Sequence, residues 1–136
     1  SRRIAYNAAE SALLVSYDGD GSNYELYRIN REGSSAAAAE SEVKKGTGVG
    51  VFVARNRFAL LIKGQNKLVV KNIQNEVTKT VTIPDGARDI FFCGVGRILI
   101  HTDDKMILFD IQMKKVMCAN FFFFFLFLLH VFSSDL

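Results

Sequence analysis

The sequence predicts an all-β fold, an incomplete WD40-like β-propeller with two four-stranded blades and a partial blade ahead of them. The main observation is an internal repeat, in which Lys67–Ile73 is matched by Lys105–Ile111 at an offset of 38 residues. The preceding segments keep this offset, with Val51–Ala54 matched by Asp89–Phe92. Short apolar strands at a period near 40 residues are typical of propeller blades. Because a single blade cannot bury its own faces, this repeat favours a scaffold or binding role over an enzyme cleft.

Three strands are predicted for the partial blade, at residues 4–6, 12–17 and 24–29. The segment between the last two is rich in glycine and asparagine, residue types that favour tight turns. Residues 30–48 then break the pattern, since they are small, polar and without periodicity. This composition predicts a mobile surface loop over 30–48.

Two complete blades are predicted to follow, over residues 48–83 and 88–120. The strands of the first are predicted at 49–54, 57–63, 67–73 and 77–83, and those of the second at 88–93, 97–102, 105–111 and 114–119. Turn-forming residues separate them, for example at 64–66 and 103–104. The third strand of each blade is apolar on both faces, as expected when neighbouring blades cover a sheet on both sides.

Length and charge limit the possible functions. A closed propeller needs about 4–8 blades of roughly 40–45 residues, so 136 residues supply only part of one. The net charge of +3 comes from scattered basic residues, and a nucleic-acid interface usually needs a denser patch. Cys93 and Cys118 lie in apolar segments without metal-ligand spacing, which predicts small core side chains in a reducing compartment. The sequence lacks a starting Met and an apolar leader, so we expect an internal fragment.

Sequence motifs that resemble ligand sites lack the residues those sites require. Asp18–Glu25 resembles a calcium loop, but Asn23 and Ile29 stand where Gly and a bidentate Glu are needed, so a hairpin turn is predicted. Gly46–Gly50 has no preceding strand and no following helix, so we interpret it as a flexible entry into a strand and not as a phosphate loop.

No catalytic set is recognisable in the sequence. Asp103 and Asp104 are adjacent on a predicted turn and are expected to point apart, with His101 beside them at a strand end. His130 lies in an apolar run. We therefore predict no enzyme activity, no catalytic, metal or cofactor site, no cofactor and no small-molecule substrate.

Residues 121–136 form a Phe-rich tail that departs from the blade pattern. Residues 121–132 hold a single non-apolar residue, yet a spanning helix needs about 20 apolar residues. Three explanations stay open: a gene-model error such as read-through into an intron, a membrane anchor, and a genuine buried segment. We expect the first, because near-homopolymeric Phe implies a U-rich coding stretch, and we predict that this tail is not native to the fold.

Residues 2–118 resemble the alpha subunits of coatomer, the COPI vesicle coat. The most specific motif is Arg55-Asn-Arg-Phe58 followed by Lys71-Asn72 and Asn75-Glu76. Further matches are Ile4–Asn7, Tyr24–Tyr27 and Leu108–Gln112. The sequence departs from the family pattern at Ala8, where Pro is usual, and in the alanine-rich stretch 34–40.

The resemblance implies that residues 1–120 are part of the second WD40-type propeller of that subunit. It implies a structural role in transport between Golgi and endoplasmic reticulum, with other coatomer subunits as partners. It also implies a cytoplasmic protein peripherally associated with Golgi and vesicle membranes. The family's dilysine cargo site belongs to the first propeller, so none of its residues carries over. The alternative is a small membrane-anchored protein held by residues 121–132.

Overall fold

The computed structural model describes residues 2–17, 21–29 and 43–119. These residues contain twelve β-strands and no helix, so no helix within them could span a membrane. The strands are β1 Arg2–Asn7, β2 Ala12–Tyr17, β3 Asn23–Arg28, β4 Lys44–Thr47, β5 Val49–Ala54, β6 Arg57–Leu61, β7 Lys67–Asn72, β8 Val77–Thr82, β9 Asp89–Phe92, β10 Arg97–His101, β11 Met106–Asp110 and β12 Lys115–Ala119. Predictions for residues 18–20, 30–42 and 120–136, including the Phe-rich tail and His130, lie outside the described residues.

The strands form three antiparallel four-stranded sheets, each a meander in chain order. The first sheet is β1–β4, the second β5–β8 and the third β9–β12. This confirms the all-β fold of blade-like sheets predicted from the repeat.

One part of the sequence prediction was wrong. The first sheet has four strands where only three were predicted, because β4 lies inside the segment interpreted as a loop. Its sequence, Lys-Lys-Gly-Thr, has no apolar alternation, and its burial pattern is mostly exposed. Pairing with β3, with Tyr24 opposite Gly46, is therefore what defines it as a strand.

The same hydrogen bond recurs in all three sheets and shows that they are copies of one unit. In each sheet, the residue that directly follows the third strand donates its backbone N–H. The acceptor is a backbone carbonyl in the turn between the first and second strands of the same sheet. The bonds are Ile29 to Ser11 at 2.8 Å, Ile73 to Asn56 at 3.2 Å and Ile111 to Gly96 at 2.9 Å. The first sheet is thus a blade equivalent to the second and third sheets, although the internal repeat is not recognisable in its sequence.

The hydrophobic core lies on both faces of the second sheet. Along β6 the side chains alternate: Phe58 and Leu60 pack with the first sheet, while Ala59 and Leu61 pack with the third. The cluster toward the first sheet comprises Ala12, Leu14, Tyr24, Leu26, Phe58 and Leu60. The cluster toward the third sheet includes Val51, Val53, Leu68, Val70, Ile90, Ile98, Ile100, Ile107 and Phe109. The middle strands are therefore apolar on both faces because each face has its own neighbour.

We expect Leu60→Ala to lower the free energy of unfolding by about 2–5 kcal/mol, the usual effect of a cavity at a buried leucine. Leu60 is 1% exposed between the first and second sheets. Urea denaturation followed by circular dichroism measures the change. The control is Val77→Ala at a 59% exposed position, which should change stability by less than about 0.5 kcal/mol. Equal effects of the two variants would contradict the two-faced core.

Candidate functional site

A buried tyrosine connects the first sheet to the second. Tyr24 is fully buried, and its hydroxyl donates to Asn75 Oδ1 and accepts from Lys71 Nζ at 3.0 Å. The Lys71 ammonium also lies 5.6 Å from the centroid of the Tyr24 ring, within range of a cation–π interaction. Asn75 Nδ2 in turn donates to the carbonyl of Lys45 at 3.4 Å. We call Tyr24, Lys71 and Asn75 the interblade lock.

The turn after β7 holds Asn75 in position for this lock. Asn75 has a φ of 70°, which asparagine tolerates better than most residues. The side-chain oxygen of Asn72 accepts from the N–H groups of Gln74 at 3.0 Å and Glu76 at 2.9 Å. Lys71-Asn72 and Asn75-Glu76, which carried the sequence resemblance, therefore build a turn and join two blades.

Gly50 allows the first two sheets to approach closely, because a Cβ on it would lie 2.8 Å from Leu14 Cδ2 of the first sheet. Ser16 Oγ accepts from the Gly50 N–H at 2.9 Å within the same contact. Within the first sheet, a Cβ on Gly46 would lie 2.6 Å from Cε1 of Tyr24 on the paired strand β3. The interpretation of Gly46–Gly50 as a flexible entry was wrong, because Gly46 lies in β4, Gly50 lies in β5 and only Gly48 separates the two strands.

The third sheet is attached to the others mainly through β9 and its following turn. The Gly96 N–H donates to the Val53 carbonyl at 2.8 Å. From the first sheet, Arg3 donates to the Ile90 carbonyl at 2.7 Å and to Asp89 at 2.6 Å. The Arg3 guanidinium also lies 4.9 Å from the centroid of the Phe91 ring. The first strands of the three sheets are thereby connected.

An apolar groove opens where these first strands end. It has a volume of about 470 Å³ and is lined by Ala5, Tyr6, Asn7, Ala8, Val51, Phe52, Ala54, Arg55, Phe92 and Val95. Tyr6, Phe92 and Val95 are 54%, 57% and 81% exposed, whereas Val51 is buried at its base. Asn7 fixes one wall by donating to the Arg55 carbonyl at 2.6 Å. We call this the axial groove.

Asp103, Asp104 and His101, the catalysis candidates within the described residues, are not assembled into a site. Asp103 forms an exposed ion pair with Arg88 at 2.6 Å, and Asp104 accepts from Thr102 Oγ1 at 3.1 Å. The two carboxylates therefore have separate partners, and His101 is exposed. Among residues 2–17, 21–29 and 43–119, no group of three or more His, Cys, Asp or Glu side chains could hold a metal ion.

The two cysteines are free and only partly buried, so the prediction of core positions for them was wrong. Cys93 follows β9 in a turn, and Cys118 lies on the edge strand β12. Burial raises the pKa of the Cys93 thiol, with Arg97 opposing the shift. A thiol with a raised pKa is a poor nucleophile at neutral pH.

Asp110 occupies in the third sheet the position that Asn72 occupies in the second. Its Oδ1 accepts from the Met113 N–H at 2.8 Å, and its Oδ2 lies 3.3 Å from Arg97 Nε. The Met113 hydrogen bond and then Arg97 hold the pKa of Asp110 below its usual range, although burial opposes them. Both residues cap the same turn, with a neutral amide in the second sheet and a charged carboxylate in the third.

Three stacked four-stranded sheets define the chain as a propeller-type domain built from successive blades. One solved structure with this fold is that of "Kluyveromyces lactis Hsv2 complete loop 6CD". It aligns with a TM-score of 0.51 at 15% identity, over 88% of this chain and 37% of that one. At this identity the likeness shows the fold alone.

The chain belongs to the family described as "COPA/B second beta-propeller", whose model matches residues 1–119. Its relatives include coatomer subunit alpha-2 of Arabidopsis thaliana, 39% identical over 117 residues, and coatomer subunit alpha of Dictyostelium discoideum, 42% identical over 120 residues. The alignments cover 85% and 87% of this chain but only 10% and 9% of these relatives. The chain thus spans about a tenth of their length, and the resemblance recognised in the sequence is confirmed.

We expect Tyr24→Phe to lower the free energy of unfolding by about 1–2 kcal/mol, because it removes a buried hydroxyl and leaves Lys71 and Asn75 without it. Urea denaturation measures the loss. Tyr6→Phe removes an exposed hydroxyl and is the matched control, with an expected change below about 0.5 kcal/mol. An unchanged stability in Tyr24→Phe would show that the lock does not stabilise the stack.

We expect Asp110→Ala to cost about 1–2 kcal/mol at pH 7, because the turn loses its acceptor. Asp110→Asn keeps an acceptor, as Asn72 does in the second sheet, and should cost less. Because the pKa of Asp110 is lowered in the folded state, its contribution is present above about pH 4 and is lost as the pH falls through the folded-state pKa. Asp110→Asn should therefore lose less stability than the parent chain as the pH falls below about 4. Parallel pH profiles for the two chains would be the contradictory result.

Proposed function

We propose that this chain is a structural, non-catalytic part of a COPI vesicle coat. The observation that carries the proposal is the match of residues 1–119 to a coatomer propeller family, on a fold whose blades are joined by buried contacts. Two residues of the motif that carried the sequence resemblance, Lys71 and Asn75, serve blade stacking through Tyr24. Their role is therefore to stabilise the arrangement of the blades and the surface they form, and not to catalyse a reaction.

We further propose the cellular role that this membership suggests. The blades form part of a rigid platform, and its surface contacts other coatomer subunits during transport between Golgi and endoplasmic reticulum. The protein is cytoplasmic and associates peripherally with Golgi and vesicle membranes through the coat. Nucleic acid and small-molecule substrates have no part in this function.

Affinity purification of the longest polypeptide that contains this sequence, tagged in its own cells, tests the proposal. We expect the other coatomer subunits to co-purify, and recovery of none of them would contradict the proposal. Carbonate extraction of membranes should release the protein, because a peripheral coat protein has no spanning segment. Retention in the membrane pellet would contradict peripheral association.

A variant connects this role to the blade stack. We expect Gly50→Val to reduce recovery of the other subunits, because the added side chain clashes with Leu14 and Leu60 between the first two sheets. Val77→Ala is the control on an exposed strand position and should leave recovery unchanged. Equal recovery with both variants would show that the stacked blades are not needed for coat assembly.

A further inference from the structure

The two outermost sheet faces of the stack are mainly apolar, and neither is covered by another sheet of the described residues. We call the side of a sheet that is turned toward the next sheet in chain order its forward face, and the opposite side its back face. Side chains on these outer faces alternate with those of the two core clusters. The forward face of the third sheet comprises Phe91, Leu99, Met106, Leu108 and Cys118. The back face of the first sheet comprises Ile4, Leu13, Val15, Glu25 and Tyr27.

Comparison of equivalent positions shows what the back face of the first sheet lacks. Ile4 corresponds to Ile90 of the third sheet, since each lies opposite a second-strand residue that is itself paired four residues before the donor of the recurring hydrogen bond. Ile90 is covered by the second sheet and is 0% exposed, whereas Ile4 is 63% exposed. Ile4 therefore stands at a blade-interface position without its neighbouring blade.

The forward face of the third sheet shows the same difference. Met106 and Leu108 occupy in β11 the positions that Leu68 and Val70 occupy in β7, 38 residues earlier. Leu68 and Val70 are buried against the third sheet, at 0% and 1% exposure. Met106 and Leu108 are only half-buried. Both outer faces thus carry apolar side chains at positions that are buried elsewhere in the chain by a neighbouring blade.

The stack of sheets is curved and not flat. Facing sheets lie about 10 Å apart, so the first and third sheets of a flat stack would be separated by about 20 Å. Arg3 of β1 nevertheless contacts Asp89 at 2.6 Å and the Ile90 carbonyl at 2.7 Å in β9. The first strands of the sheets therefore converge on one side, and the three sheets form a sector of a ring.

We propose that two copies of this chain close a six-bladed ring, in which the forward face of each third sheet packs on the back face of the other copy's first sheet. This contact repeats the two blade joints within the chain, so each outer face meets the kind of face that covers its equivalent. A closed propeller contains about 4–8 blades. The described residues supply three blades per copy, so two is the only whole number of copies in this range. The proposal goes beyond the coat role, which does not depend on a second copy.

The lock between the first two sheets predicts one contact of the new joint. Lys71, on the back face of the second sheet, lies against Tyr24 on the forward face of the first. The recurring hydrogen bond aligns the three sheets, and it places Tyr27 at the position of Lys71 and Met106 at that of Tyr24. Tyr27 of one copy should therefore lie against Met106 of the other, where sulfur and ring make a favourable contact.

Light scattering coupled to size-exclusion chromatography tests the ring on the full chain of 136 residues. We expect twice the chain mass of 15.2 kDa, and a dilution series gives the dissociation constant. Ile4→Glu places a charge on the outer back face and should raise this constant at least about tenfold. Val77→Glu adds the same charge at a 59% exposed position of the second sheet, whose faces are already covered, and should leave the constant unchanged. Equal constants for the two variants overturn the proposal.

A charge pair tests which faces meet. Met106→Glu would place a carboxylate against Tyr27 of the other copy, whose hydroxyl donates to Glu25, and should raise the dissociation constant at least about tenfold. Adding Tyr27→Lys should restore most of the affinity, because the two new charges attract each other across the joint. Absence of either effect overturns the forward-to-back contact. Circular dichroism checks the fold, and if Met106→Glu does not fold, the exposed pair Ile4→Glu and Val77→Glu decides.

Other assembly states give opposing outcomes. A monomeric parent chain overturns the proposal and leaves residues 121–132 as the competing occupant of the third sheet's forward face. Assemblies of more than two copies also overturn it, because a head-to-tail contact that does not close produces an open chain of copies. None of these results affects the co-purification test of the coat role, so the two proposals can fail separately.

Discussion

Burial of the second sheet on both faces is the constraint on which the rest of the structure depends. A sheet with apolar side chains on both faces is stable in water only between two neighbours. Phe58 and Leu60 require the first sheet, and Ala59 and Leu61 require the third. The polar contacts have a different role: Tyr24 with Lys71 and Asn75, and Ser16 with Gly50, fix the position in which the apolar faces meet. Apolar packing thus stabilises the stack of sheets, and the hydrogen bonds fix the position of one sheet relative to the next.

The fold could be read from the sequence where the physical signal is local. The second and third sheets were placed correctly because their strands repeat at a constant offset and are separated by residues that favour turns. β4 was missed because Lys44–Thr47 shows no apolar alternation and contains one β-branched residue, Thr47, at its end. Its strand geometry comes from pairing with β3, a tertiary contact that no local pattern records.

The candidate site was less accessible to sequence reasoning than the fold. The family motif identified Lys71, Asn72, Asn75 and Glu76 without indicating that they form a turn and a lock, because the partner Tyr24 lies 47 residues from Lys71. The axial groove joins side chains from three strands that are distant in sequence, and Tyr6, Phe92 and Val95 each look unremarkable alone. The cysteines were misplaced for a related reason, since apolar neighbours in sequence do not ensure burial at a sheet edge.

The two joints between consecutive sheets differ in length, and this difference has an evolutionary consequence. Gly48 alone separates β4 from β5, with a φ of 121° that most residues adopt only with strain. Residues 83–88 separate β8 from β9 and include Pro84. The first joint therefore tolerates neither insertion nor substitution without tilting one blade against the next, whereas the second can absorb changes in length. We therefore expect relatives to differ in the sequence and length of the longer joint and to keep a glycine in the shorter one.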